Sequence, residues 1–101
     1  MNQTRFEKQV GGALDEVVYE LLPKDKTGYV EVQYDTPHQE HPYHTHPTDE
    51  ILHIIEGGLF FTVDDETIYC EEGDRIYLPK YVWHGSKAGE EGCTYIIAIL
   101  K

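Results

Sequence analysis

Turn-forming residues interrupt this chain so often that its second half holds only short elements. Gly57-Gly58, Asp64-Asp65-Glu66, Glu71-Glu72-Gly73-Asp74 and Pro79 follow one another closely, at the roughly 8–12-residue spacing of strands in a β-sandwich or barrel. The pieces between them predict strands over 50–56, 59–63, 67–70, 75–78 and 81–85. Gly57-Gly58 reads as a tight hairpin turn, 86–92 as a polar loop, and 94–100 as a closing, strongly apolar strand. Upstream, Val30, Val32 and Tyr34 alternate with Tyr29, Glu31 and Gln33, the period-two pattern of a half-buried strand. Residues 36–42, with Pro37 and Pro42, read as a loop. Tyr43 to His46 is extended, because Pro47 blocks a helix there. Residues 1–12 read as an arm or a short lead-in strand. Only 13–22 is ambiguous: Leu14, Val17, Val18, Leu21 and Leu22 fit helical spacing, but Val17-Val18-Tyr19 favours a strand, and a strand is the expectation. The fold class is all-β.

A chain of 101 residues buries one core, so residues 1–101 form a single domain. Eight basic against nineteen acidic residues give a net charge of -11. That excludes nucleic acid and anionic membranes as partners, since phosphate neutralisation needs a basic surface. No apolar run approaches the ~20 residues of a membrane span, and residues 1–8 lack a secretory apolar region, which gives the cytoplasm as the default location. Cys70 and Cys93 form no CxxC pair and read as small core-filling residues. The last strand, Tyr95-Ile96-Ile97-Ala98-Ile99-Leu100, is apolar on both faces and calls for cover on both sides. With Ile51 and Ile55 also spare, that cover is expected from a partner subunit in a homodimer.

Four of the six histidines fall between His38 and His46. On a strand, His44 and His46 point the same way, about 7 Å apart. Glu50 opens the next strand and shares a face with Leu52 and Ile54, while His53 points to the opposite face, as a surface or interface residue. Two imidazoles and a carboxylate on one side leave coordination positions open for substrate or water. His84, which follows Gly73-Asp74 and Pro79 where a strand returns to the sheet, is the candidate fourth ligand. Asp49 reads as a turn residue. Tyr81 and Trp83, which flank His84, read as packing at a barrel end or interface.

The spacing His44-x-His46-x3-Glu50-x6-Gly57, followed by Gly73-x5-Pro79 and His84, resembles the two motifs of the cupins, here 44–57 and 73–84. The resemblance implies a small double-stranded β-helix (jelly-roll) barrel. It also implies that His44, His46, Glu50 and His84 hold one divalent transition metal (Fe, Mn, Ni, Zn or Cu). Three positions depart from the family's pattern: His38 and Tyr81 stand where glycine is usual, and Ala88 where asparagine is. His38 and His41 fall on a loop at the barrel mouth, where they either line the entrance or are merely solvated, and solvation is the expectation. The inner face is expected to be apolar, built from Leu52, Ile54 and residues of 60–63 and 76–78. Such a cavity implies a small-molecule substrate or ligand, with dioxygenase-type chemistry leading. Isomerase or epimerase chemistry would need a further acid–base group. The alternative of another class is a binding or sensing module without turnover.

Overall fold

The structure, a computed structural model, describes residues 3–24 and 27–100. Its elements are β1 (Arg5–Glu7), α1 (Leu14–Leu21), β2 (Tyr29–Asp35), β3 (Glu40–His44), β4 (Asp49–Val63), β5 (Glu66–Glu71), β6 (Arg75–Leu78) and β7 (His84–Leu100). All strand pairs are antiparallel, and they wrap into a small jelly-roll barrel.

Two long strands organise the barrel. β4 and β7 pair with each other from Asp49↔Leu100 to Val63↔His84. Each changes its other partner halfway. β4 pairs with β6 over Glu50–His53 and with β5 over Gly58–Val63. β7 pairs with β3 over His84–Lys87 and with β2 over Cys93–Ile99. Gly57-Gly58 is therefore not a hairpin turn. It is a corner inside one continuous strand, marked by register shifts at 54–56 and 57–59. The expected loop over 86–92 is likewise strand, and β3 replaces the last three residues of the expected loop at 36–42. At 57–58 and 86–92 the alternating polarity is masked by glycines, which serve here as bends in strands. Gly57 has φ +81°, and a Cβ there would stand 2.2 Å from the Gly92 carbonyl oxygen. Only glycine lets the two strands touch at this corner.

The segment 13–22 is a helix, correcting the strand expected there. The β-branched run is outweighed by amphipathic burial: Val17 and Leu21, one turn apart, are buried against Ile96 and Ala98. Glu16 caps the first turn by accepting a hydrogen bond from the Ala13 backbone N–H at 3.1 Å. Val30, Val32, Ile51 and Ile55 pack against the same cluster. The chain's own α1 thus supplies part of the outer cover expected from a partner subunit, and these four stay only partly buried. The second cluster, around Ile54, Leu59, Phe61, Ile76 and Leu78, fills the barrel. Cys70 and Cys93 are buried in it as free thiols, as expected.

His53 does point away from the barrel interior, but it is wholly buried rather than at the surface. The N-terminal segment also covers this side. β1 pairs with β6, and the Val10 and Gly11 N–H groups donate to the Gly73 carbonyl. Asp74 holds the arm too, accepting from the Gln9 N–H and from the Lys8 ammonium. No helix among the described residues is long and apolar enough to cross a membrane.

Candidate metal centre

Four separate segments bring the expected donors to one end of the barrel. His44 ends β3, His46 lies two residues on, Glu50 is the second residue of β4, and His84 opens β7. Register places His84 opposite both His44 and Val63. The three imidazoles converge, each offering a nitrogen within 4.8 Å of the other two. The expected 7 Å between His44 and His46 closes because their rings lean together, to 4.6 Å between centroids and 2.9 Å between Nε2 atoms. Glu50 Oε2 stands 3.6 Å from His46 Nε2. Phe61 stacks on the His84 ring at 5.6 Å and walls one side.

Backbone carbonyls set the tautomers. The Val82 carbonyl accepts from His84 Nδ1–H at 2.9 Å, and the Pro42 carbonyl accepts from His44 Nδ1–H. Both Nε2 atoms are therefore bare. Burial, outweighing the Val82 hydrogen bond, pushes His84 down to about 4, with His44 and His46 adding to the effect. Burial also lowers His46. Glu50 is pushed up to about 7 by burial and by Glu31. The bare Nε2 of His44 stands 2.9 Å from Nε2 of His46, close enough that either a proton on His46 or a cation lies between them. Two nitrogens bound at right angles to a transition metal at about 2.1 Å stand about 3.0 Å apart. Neutral imidazoles facing a carboxylate of raised pKa form a donor set that fits a divalent ion, which would favour the carboxylate's charged form.

The histidines sit in a cavity of about 380 Å³. Its walls are not the uniformly apolar surface expected. Leu52 and Phe61 line one part, but β2 turns its polar face inward, contributing Glu31 and Gln33, while its valines pack under α1. The alternation of β2 is legible in the sequence, but its polar side reads naturally as the solvent side. A helix on the outer face reverses that assignment.

His41 also lines the cavity, and its Nε2 lies 2.9 Å from Asp35 Oδ1. It is therefore not simply solvated, whereas His38 is exposed. Asp49, expected in a turn, opens β4 instead, and its side chain accepts from the Lys80 N–H at 2.8 Å. Trp83 stacks on Tyr43 at 5.8 Å, both largely exposed, so this aromatic pair lies outside the core. His38 and Tyr81 have φ of +64° and +65°. A larger groove of about 1020 Å³ at the Gly57 corner is lined by Glu56, Glu71, Glu72, Glu90 and Glu91, and no histidine lines it.

A family model described as "Cupin domain" matches residues 31–99. An acireductone dioxygenase from Phaeosphaeria nodorum is 32% identical over 63 residues, which cover 57% of this chain and 36% of that protein. The chain thus spans about a third of the length of that curated relative. Among solved structures, a cupin-2 domain protein from Shewanella frigidimarina is similar, with TM-score 0.66 and 25% identity over 75% of this chain and 72% of that one. A conserved protein of unknown function from Streptococcus pyogenes is similar over all of this chain and 76% of its own, with TM-score 0.69 and 22% identity.

Proposed function

This chain belongs to the cupin domain family, and we propose that His44, His46, His84 and Glu50 hold one divalent transition metal that acts with the adjoining cavity on a small organic molecule in dioxygenase-type chemistry. The convergence of three histidine nitrogens within 4.8 Å, on three different segments, carries this proposal. The similarity to an acireductone dioxygenase over part of that protein supports the reaction type. A metal held here supplies Lewis acidity toward an oxygen of the bound molecule and a position for dioxygen. The chain's own part is to orient and to exclude. Carbonyl hydrogen bonds fix the His44 and His84 rings, Phe61 and Leu52 keep water from one side, and Glu31 and Gln33 offer polar contacts on the other.

Protein purified without chelator is expected to carry close to one transition-metal ion per chain by elemental analysis, and His46→Ala to lose it. A metal-free wild type, or an ion unaffected by His46→Ala, would sink the site. Oxygen uptake by the iron-loaded protein, measured across a panel of diols, diketones and thiols, tests the reaction. No uptake with any member would move weight to a binding module without turnover or to non-redox isomerase chemistry.

A further inference from the structure

The polar wall of the cavity carries a hydrogen-bonded set that the metal centre does not use. Asp35 ends β2 with its side chain wholly buried. Its two oxygens accept three hydrogen bonds, each 2.9 Å long. Tyr95 Oη–H donates to Oδ2, and Gln33 Nε2–H and His41 Nε2–H donate to Oδ1. Gln33 and Tyr95 are cross-strand partners on β2 and β7, and His41 comes from β3. Three strands therefore hold one carboxylate and, through it, one imidazole.

His41 reaches the cavity through a β-bulge. It stands opposite Ser86, and His44 stands opposite His84. Three steps along β3 thus match two along β7. In a regular strand, His41 and His44 would point to opposite faces. The extra residue turns both inward, where Ser86 and His84 also face the cavity. Bulges re-aim side chains in this way beside functional sites.

The hydrogen bond fixes the tautomer. A carboxylate only accepts, so His41 Nε2 carries the proton and Nδ1 keeps a free lone pair. The side chain is 33% exposed, enough for a molecule in the cavity to meet it. This is the orientation of a general base: an imidazole with one nitrogen tied to a buried carboxylate and the other free.

We infer that His41 is the acid–base residue of this cavity, positioned by Asp35, and that it takes a proton from the hydroxyl-bearing carbon of a small α-hydroxycarbonyl compound. The inference rests on the metal-centred reading of the cavity. In the step, the C–H bond breaks and an N–H bond forms at His41 Nδ1. The electron pair of the C–H bond forms the carbon–carbon double bond, and the carbonyl π pair moves to its oxygen, giving an enediolate. The resulting imidazolium donates to Asp35. Glu31, Gln33 and Ser86 supply hydrogen-bonding groups for the hydroxyls of such a molecule, and the cavity of about 380 Å³, at the small end for ligand sites, has room for it. Enediolate formation precedes oxygenation of an enediol, and return of the proton to the neighbouring carbon gives isomerisation. The step therefore supplies the acid–base group that isomerase chemistry lacks from the sequence.

Two measurements test it. The first needs no metal: long-range 1H–15N correlation of metal-free protein should show His41 protonated at Nε2 and bare at Nδ1, with that signature lost in Asp35→Asn. His41 protonated at Nδ1 instead overturns the inference. The second uses zinc-loaded protein under argon with dihydroxyacetone as probe, following solvent deuterium entry into its C–H positions by NMR. The wild type should exceed buffer, and His41→Gln should fall by ~100-fold or more while keeping one zinc per chain. Exchange no faster than buffer in the wild type, or equal in His41→Gln, with zinc in place, overturns the role of His41 alone. A wild type that takes up no zinc overturns the metal reading and this step with it.

Discussion

His53 and Arg75 face each other across β4 and β6, both buried, with Arg75 Nε donating to His53 Nδ1 at 3.0 Å. The other end of the guanidinium makes a two-pronged pair with Glu20 of α1, each contact 2.9 Å. Arg75 is raised chiefly by its hydrogen bond to Glu20, and burial with the neighbouring guanidinium lowers His53. A neutral histidine and a helix-borne carboxylate together keep this cation satisfied. Glu20→Gln is expected to destabilise the fold by about 1–2 kcal/mol, because it strands a buried charge, moderated by the exposure of Glu20. Chemical denaturation measures it, and α1 amides should exchange faster. Unchanged stability would show that α1 docks by apolar burial alone.

The pH dependence of metal binding follows from two opposed groups. Glu50 is pushed up to about 7 from 4.5, so in that window the metal-free folded chain holds a proton that the unfolded chain does not. Acidification through it stabilises by way of Glu50. His84 is pushed down to about 4 from 6.5, so acidification between those values favours the unfolded chain. The two contributions oppose each other, leaving little net pH dependence from this pair in metal-free protein between 6.5 and 4.5. A bound ion requires both groups deprotonated. The Tm gap between zinc-loaded and chelator-treated protein should therefore close as pH falls from about 7.5 to about 5. A gap that stays constant would remove Glu50 from the ligand set, since His84, at about 4, is already deprotonated across this window.

Gly57→Ala is expected to cost at least about 2 kcal/mol, combining a left-handed backbone that disfavours Cβ with a clash against the Gly92 carbonyl. Thermal unfolding is the measurement. A shift of less than a few degrees would mean that the corner relaxes freely.

His38 and Tyr81 invite the reverse change. Both are exposed non-glycine residues with left-handed φ, at positions where the family's motifs usually carry glycine. His38→Gly and Tyr81→Gly should each stabilise by about 0.5–1 kcal/mol, relieving strain that exceeds the extra chain entropy of glycine. The Tyr81 N–H donates to the His46 carbonyl at 2.7 Å. A loss of stability in Tyr81→Gly would therefore reveal packing of the tyrosine ring that outweighs its backbone.

The strand-rich class and the convergence of His44, His46 and His84 were legible in the sequence, because residue spacing and turn chemistry are local. The errors are non-local. Whether Val17 and Val18 belong to a strand or a helix depends on Ile96 and Ala98, which the chain reaches some eighty positions later. Once 13–22 is read as a strand, the outer faces of the last strand and of Ile51 and Ile55 look bare, and the helix that partly covers them goes unseen. His41 fails for a related reason. Its inward aim comes from a bulge defined only by its pairing with β7, and nothing in Pro42-Tyr43 announces it. Gly57-Gly58 carries the signature of a hairpin, and only the continued ladder with β7 distinguishes a corner from a reversal.

The proposed donors cluster at strand ends: the last residue of β3, the second of β4 and the first of β7, with His46 in the short link between β3 and β4. The Gly57 and Gly92 corner, midway along the same two long strands, contributes none of them. A bound ion would therefore act as a clasp at one rim of a cylinder that its own mid-wall seam already closes. Withdrawing it should speed amide exchange at that rim, around His44 to Glu50 and Val82 to Gly85, while the middle of β4 and β7 keeps its protection. Loading and unloading of metal would then proceed by fraying a rim, in protein that stays folded throughout.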